Sequence, residues 1–387
     1  MRAKRLYSLD VLRGLGALAV VFWHWQHFFA IRGTWQAGWS RAAEPSYALL
    51  KPLYDQGWLA VDLFFAVSGF VFFWLYLTPV AEKRVGAISF ALQRLSRLYP
   101  LYLVTLLIAA GLELLFFRAT GSYFIFDAND WPHFIRSLFL VQQWLPPDEA
   151  QSFNGPAWAV SLEVLLYIVF FVLVRLGLRG PRVTLVLALS ATLIFPWEGQ
   201  IARALAGFFM GGVTWWATDA IASHRNARAI AKTIIAAAAI AWGIALLEVY
   251  VGPIEALFPR APAPMAHFLL ANTYPLFLFV FIFGIVPLTL AALALHEELW
   301  GGIYARLTFL GDISYSTYLI HFSMQLTLAL VALRMGWTPW DFMSGWVMLA
   351  FYSVLIALGA LSYYGFERPV QAALRKRMAR PALSTAQ

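Results

Sequence analysis

About ten predominantly apolar stretches run along the chain, broken by short polar or charged segments, and at roughly 17 to 25 residues each is long enough to cross a bilayer as a helix. The pattern places them near Leu12–Ile31, Trp58–Leu77, Leu98–Phe117, Ala157–Val174, Arg182–Trp197, Ile201–Trp216, Ile230–Val251, Phe268–Leu293, Ile313–Leu333 and Trp340–Tyr364. The fifth and sixth are short and separated only by Glu-Gly-Gln, so they form either a tight hairpin or one helix broken at Pro196.

Composition agrees. Of 387 residues, 61% are hydrophobic and 12% charged, and the mean hydropathy is +0.70. A soluble domain carries about 25% charged residues, so the expected fold class is an all-α polytopic membrane protein. The absence of cysteine removes disulfides, thiolate metal sites and cysteine nucleophiles, leaving oxygen or nitrogen for any covalent chemistry. A net charge of +8 suits cytoplasmic loops facing a lipid bilayer better than nucleic acid.

Sorting basic residues by loop sets the expected orientation. With the N-terminus inside, the inner side collects Met1–Arg5, Lys83, Arg84, Arg94, Arg97, Arg175, Arg179, Arg182, Arg225, Arg228, Lys232, Arg306 and the tail beyond Glu367. The longest outer loop instead carries Asp127, Asp130, Asp148 and Glu149. Both termini are therefore expected in the cytoplasm. Residues 1–369 read as one transmembrane domain and 370–387 as a basic cytoplasmic tail. The first span follows a basic start with no A-x-A-like exit, so it reads as retained rather than cleaved.

Ionisable residues inside the spans are the candidates for chemistry, because charge at membrane depth is costly and usually faces a cavity or partner. Arg13 and His24 are eleven residues apart, which on a helix returns them to within about 20° of one face, roughly 16 Å apart along the axis. A neutral imidazole at that depth can accept a proton from a hydroxyl; His27, one turn on, reads as interfacial. Arg94 and Arg97, at i and i+3 at the inner start of the third span, form a guanidinium pair suited to phosphate oxygens, or simply a membrane flank. Asp62, in the outer half of the second span, wants a partner, either the His24 imidazole or an arginine such as Arg203. Ser68-Gly69 interrupts the phenylalanine-rich run that follows. Glu163, about two turns into the fourth span, reads as a proton relay, a hydroxyl ligand, a partner for an imidazolium or half of a salt bridge. Tyr315, Tyr318 and His321 recur every three residues in the ninth span.

Taken together, these blocks resemble the acyltransferase 3 family of integral membrane O-acyltransferases. The resemblance rests on "LDVLRG" with its Arg-x10-His (Arg13, His24), "FFAVSGFVFFW", the Arg-x-x-Arg of "RLSRLYPLY", "AWAVSLEVLLYIVFF", "LGDISYSTYLIH" and "FERP", in the family's order from residue 9 to 369. "HFSMQ" lacks the proline that many members carry soon after the histidine, and no extracytoplasmic hydrolase-like domain is seen, so the chain reads as a stand-alone version.

The resemblance implies transfer of an acyl group, commonly acetyl, from cytoplasmic acyl-CoA to a hydroxyl of a carbohydrate or glycosylated acceptor, often at the outer face of a bacterial cytoplasmic membrane. It implies Arg13, Arg94 and Arg97 as the donor's phosphate ligands and His24 as catalytic base or acyl carrier, with Glu163 and Asp62 assisting. Ser68, Trp158, Tyr318 and His321 are the candidates for acceptor contact, the outer loop Arg118–Phe153 is expected to recognise the acceptor, and no metal is expected. The rival class is a proton-coupled transporter using His24, Glu163 and His321 as a relay.

Overall fold

The computed structural model describes residues 5–31, 34–144, 151–253, 275–302 and 304–379. The chain is almost entirely helical: α1 (Tyr7–His24), α2 (Tyr47–Gln56), α3 (Ala60–Ala81), α4 (Ala87–Thr120), α5 (Trp131–Leu138), α6 (Trp158–Arg175), α7 (Pro181–Ser190), α8 (Gly199–Ala222), α9 (Ala227–Val251), α10 (Pro275–Trp300), α11 (Tyr304–Asp312), α12 (Ser314–Met335), α13 (Gly345–Ser362) and α14 (Arg368–Ala379). The sole described sheet is a two-residue antiparallel ribbon pairing Ala30 with Trp35 and Ile31 with Thr34.

Among the described residues, seven helical stretches are long and apolar enough to cross a membrane: 47–81, 87–120, 155–175, 227–251, 275–300, 314–335 and 345–376. This is an all-α, multi-pass membrane fold. In α9 and α13 large apolar side chains such as Ile240, Leu247, Val354 and Leu361 point outward, which is the arrangement expected where the surrounding medium is hydrocarbon.

Each of the ten expected spans coincides with a helix, and the boundaries differ in informative ways. The first ends at His24, where the chain tightens into the 3₁₀ turn Trp25–Phe29, rather than running to Ile31. The third begins at Ala87, eleven residues before Leu98, so Arg94 and Arg97 lie two turns inside a 34-residue helix rather than at its start. At 1.5 Å per residue that helix is about 50 Å long and outruns the roughly 30 Å hydrocarbon layer. The fifth and sixth form a hairpin, α7 with a 3₁₀ extension Ala191–Ile194 turning through Pro196 into α8. Of the eighth, residues 268–274 lie outside the described residues.

The chain divides into two compact units, Met1–Gly16 with Leu50–Ala81 and Val172–Gly311, and Ala17–Leu49 with Glu82–Phe171 and Asp312–Gln387. In the first, α3 and α8 pack backbone to backbone. A Cβ on Gly69 would stand 1.8 Å from the carbonyl oxygen of Phe208, and one on Gly211 would stand 1.9 Å from that of Ala66. Glycine therefore permits the closest approach of the two helices, the usual device where lipid removes the hydrophobic drive for association. The Glu297 carboxylate accepts from the N–H groups of Tyr7 (2.9 Å) and Ser8 (2.7 Å), satisfying donors that the first turn of α1 leaves open.

The second unit centres on α12, which packs against α4 and α13. Apolar along much of its length, α12 nevertheless buries Ser316, Thr317, Tyr318, His321 and Gln325. Each has a defined partner, as burial away from water demands. The Tyr315 hydroxyl donates to the Leu98 carbonyl at 2.7 Å, and the Trp25 indole donates to the Phe342 carbonyl at 3.1 Å.

Candidate active site

Three histidines meet in the second unit. His321 is completely buried on α12, while His24, the last residue of α1, and His27, in the 3₁₀ turn that follows, keep 7% and 6% of their surface. The His24 and His321 rings are nearly parallel, 18° apart, and Nε2 of His321 lies 2.9 Å from Nδ1 of His24. Gln325, one turn beyond His321, donates its amide N–H to the His24 carbonyl at 2.9 Å and places its oxygen 3.2 Å from Nδ1 of His27.

These contacts determine where the protons sit. Nδ1 of His321 lies 2.6 Å from the carbonyl oxygen of Tyr318, which can only accept, so this nitrogen carries the hydrogen. In the neutral ring Nε2 is then an acceptor, and Nδ1 of His24, facing it, must be the donor. Nε2 of His24 is left with a bare lone pair, the arrangement a general base requires. No described group takes it up.

A polar path continues from the histidines. The Tyr318 hydroxyl donates to the Pro156 carbonyl at 2.5 Å, and Asn154 donates to the Leu319 carbonyl at 3.0 Å. Tyr167 donates its hydroxyl to Glu163, and the charges of Arg94 and Arg97 both act on that hydroxyl. Arg94 is buried and Arg97 exposed. Glu367, of the "FERP" block, accepts from Ser316 and from Ser362. Trp158 stands half-buried at the first position of α6.

The structure thus gathers His24, His321, Tyr318, Glu163, Trp158, Arg94 and Arg97 in one unit. Arg13, Asp62 and Ser68 belong to the other. Arg13 pairs with Asp10 at 2.8 Å, and Arg5 pairs with the same carboxylate at 2.6 Å. Of the two partners open to Asp62, Arg203 is the one it takes, through two bonds of 3.0 and 2.7 Å, with the guanidinium 4.8 Å over the Trp58 ring. Ser68 is half-buried on α3 beside the Gly69 contact.

His27 is buried within the protein, in the 3₁₀ turn Trp25–Phe29 that continues from α1. Gln325 and Tyr167 were missed, although the i, i+4 spacing of His321 with Gln325 and of Glu163 with Tyr167 was a signal available in the sequence.

Part of the loop between α4 and α6 lies against His27. Phe124 donates its N–H to the wholly buried Glu113 at 3.0 Å. Phe126 meets His27 edge to face at 6.1 Å and lies against Gly155, where a Cβ would stand 2.0 Å from its ring. Asn129 donates to the Phe126 carbonyl at 2.8 Å, and its side-chain oxygen accepts from the Phe153 N–H at 2.5 Å. Asp130 caps α5 through the His133 N–H, and this bond with the adjacent His133 ring holds its carboxyl below the usual aspartate range.

The acyltransferase domain family matches residues 6–363 of the chain. Two curated proteins are similar over part of their sequence. "Acyltransferase MdmB" of Streptomyces mycarofaciens is 34% identical over 183 residues, 46% of this chain and 42% of the relative, so the match spans less than half of that protein's length. "Protein 2 in picA locus" of Rhizobium radiobacter is 30% identical over 202 residues, 49% of this chain and 93% of the relative. No solved structure matches.

Proposed function

The chain belongs to the acyltransferase 3 family, and from that premise we propose that it moves an acyl group, acetyl first among them, from acyl-CoA to a hydroxyl of a carbohydrate or glycosylated acceptor in a bacterial cytoplasmic membrane. The observation that carries this reading is the His321–His24 contact, which leaves Nε2 of His24 unprotonated and available. A buried imidazole held in one tautomer by a second imidazole is a base prepared for an alcohol proton.

In the proposed step, Nε2 of His24 removes the proton as the acceptor oxygen attacks the thioester carbonyl. The carbon–oxygen bond forms, the carbon–sulfur bond breaks, and the departing thiolate takes the proton from the imidazolium. His321 orients the ring and stabilises the positive charge through its Nε2 lone pair. Arg94 and Arg97 hold donor phosphates, for which forked guanidiniums are better suited than ammonium groups. Glu163, which accepts the Tyr167 hydroxyl, and Tyr318 are assigned to the path between donor and base, and Trp158 to the acceptor's side. We assign Arg13 and Asp62 to positioning, each through its ion pair, and Ser68 to packing within α3. Both termini face the cytoplasm on the distribution of basic loops.

The test uses purified protein in detergent with acetyl-CoA and a panel of methyl glycosides, followed by thiol release and product mass. Transfer by the wild-type protein, lost in His24→Ala while acetyl-CoA still raises the unfolding temperature, is the expected result. Transfer retained by a well-folded His24→Ala protein removes the base from this mechanism.

A further inference from the structure

The acyl-transfer reading leaves a buried imidazole without a task. His27 sits one turn beyond His24, their ring centroids 4.7 Å apart and their planes inclined at 38°. We propose that His27 determines acceptor specificity: its Nε2 accepts a hydrogen bond from a second hydroxyl while His24 takes the proton of the first, so the site selects acceptors with two neighbouring hydroxyls, such as the cis-diol of a sugar ring. This inference rests on the acyl-transfer reading and adds the class of acceptor to it.

The argument is one of proton placement. The group that Gln325 directs at the His24 carbonyl must be its NH₂, because a carbonyl oxygen cannot donate. The amide oxygen therefore faces His27, and since that oxygen only accepts, Nδ1 of His27 carries the hydrogen. Its Nε2, like that of His24, is then a bare acceptor, and among the described residues nothing donates to either. Two lone pairs on rings whose centroids lie 4.7 Å apart offer one acceptor to each of two hydroxyl protons.

The walls fit the same ligand. Phe126 and Phe322 present themselves to His27 at 6.1 Å each, with interplanar angles of 87° and 84°. A sugar offers apolar C–H faces as well as hydroxyl edges, so aromatic sides around a pair of acceptors suit both. A structural histidine would need only the Gln325 bond, whereas an acceptor left open disfavours any ligand that lacks the matching donor.

The experiment compares acetyl transfer from acetyl-CoA to methyl pyranosides bearing a cis-diol and to their monodeoxy analogues, with the full chain in detergent. Wild type is expected to favour the diols by about tenfold or more in kcat/KM, chiefly through KM. His27→Phe is expected to bring the diols down to the level of the deoxy compounds, and His27→Asn to restore part of the preference. Should His27→Phe fold poorly, Gln325→Leu provides the second variant, with the acceptor KM raised and the diol preference weakened. Nitrogen NMR of ¹⁵N-histidine-labelled wild-type protein reads the tautomer directly. A wild type that transfers without preference, an undiminished preference in His27→Phe, or a proton on Nε2 of His27 would each overturn the proposal. A wild-type protein that acetylates no glycoside at all instead brings down the carbohydrate-acceptor reading on which it rests.

Discussion

Nδ1 of His24 and Nε2 of His321 lie 2.9 Å apart although the residues are 297 positions apart in the chain. Because His321 is itself oriented by the Tyr318 carbonyl, the pair passes one proton arrangement from a helix backbone to the His24 ring. Replacing His321 with leucine is expected to lower kcat by about 10²- to 10⁴-fold, the usual worth of a positioned proton-transfer system. His321→Gln, which can still accept from Nδ1, should retain more of the rate, and the pH dependence of kcat should move in both variants. An unchanged pH profile in His321→Leu would detach this residue from the base.

Arg94→Ala and Arg97→Ala are expected to raise the KM for acetyl-CoA about tenfold each while changing kcat little, since each removes a charge-assisted contact rather than a reacting group. Lysine at either position should rescue only in part, because it cannot fork around a phosphate. Titration of CoA against unfolding temperature checks the binding component separately from turnover.

Asp62→Asn leaves the Arg203 guanidinium buried beside a neutral amide. Both side chains are nearly inaccessible, 11% for Arg203 and 0% for Asp62, so solvent screening is slight. A loss of about 3 to 5 kcal/mol is expected, with much of it recovered in Asp62→Asn combined with Arg203→Met. Thermal unfolding in a fixed detergent, run as a double-mutant cycle, measures it.

Gly211→Val would drive a side chain into the Ala66 carbonyl and separate α3 from α8. Overpacking of this kind costs about 1 to 3 kcal/mol or more, and here the obstacle is backbone that cannot change rotamer. Gly243→Ala on α9, where no atom approaches, is the control expected to leave unfolding unchanged.

Asp130 caps α5 in its ionised form. Its folded value is depressed, so the contribution is present above the unfolded carboxyl value and is lost as pH falls through the folded one. The protection factor of the His133 amide, which corrects for the slower intrinsic exchange at low pH, should therefore fall on acidification, and Asp130→Asn should remove that dependence.

Hydrophobic run length alone located the seven described helices that are long and apolar enough to cross a membrane, because a bilayer demands about twenty apolar residues whatever the topology. The motif residues Arg94, Arg97, Glu163 and His24 were visible for the complementary reason that polar groups stand out in an apolar run. Partnership was not visible. Asp62 had two plausible counterparts, and only helix packing selected Arg203; the burial of His27 in a 3₁₀ turn had no local signal. The proton positions on His24 and His27 depend on a carbonyl and an amide from α12, about three hundred residues away, and no local pattern encodes which lone pair a folded neighbour will occupy. Sequence determines which groups must avoid lipid, while tertiary packing decides which of them then meet.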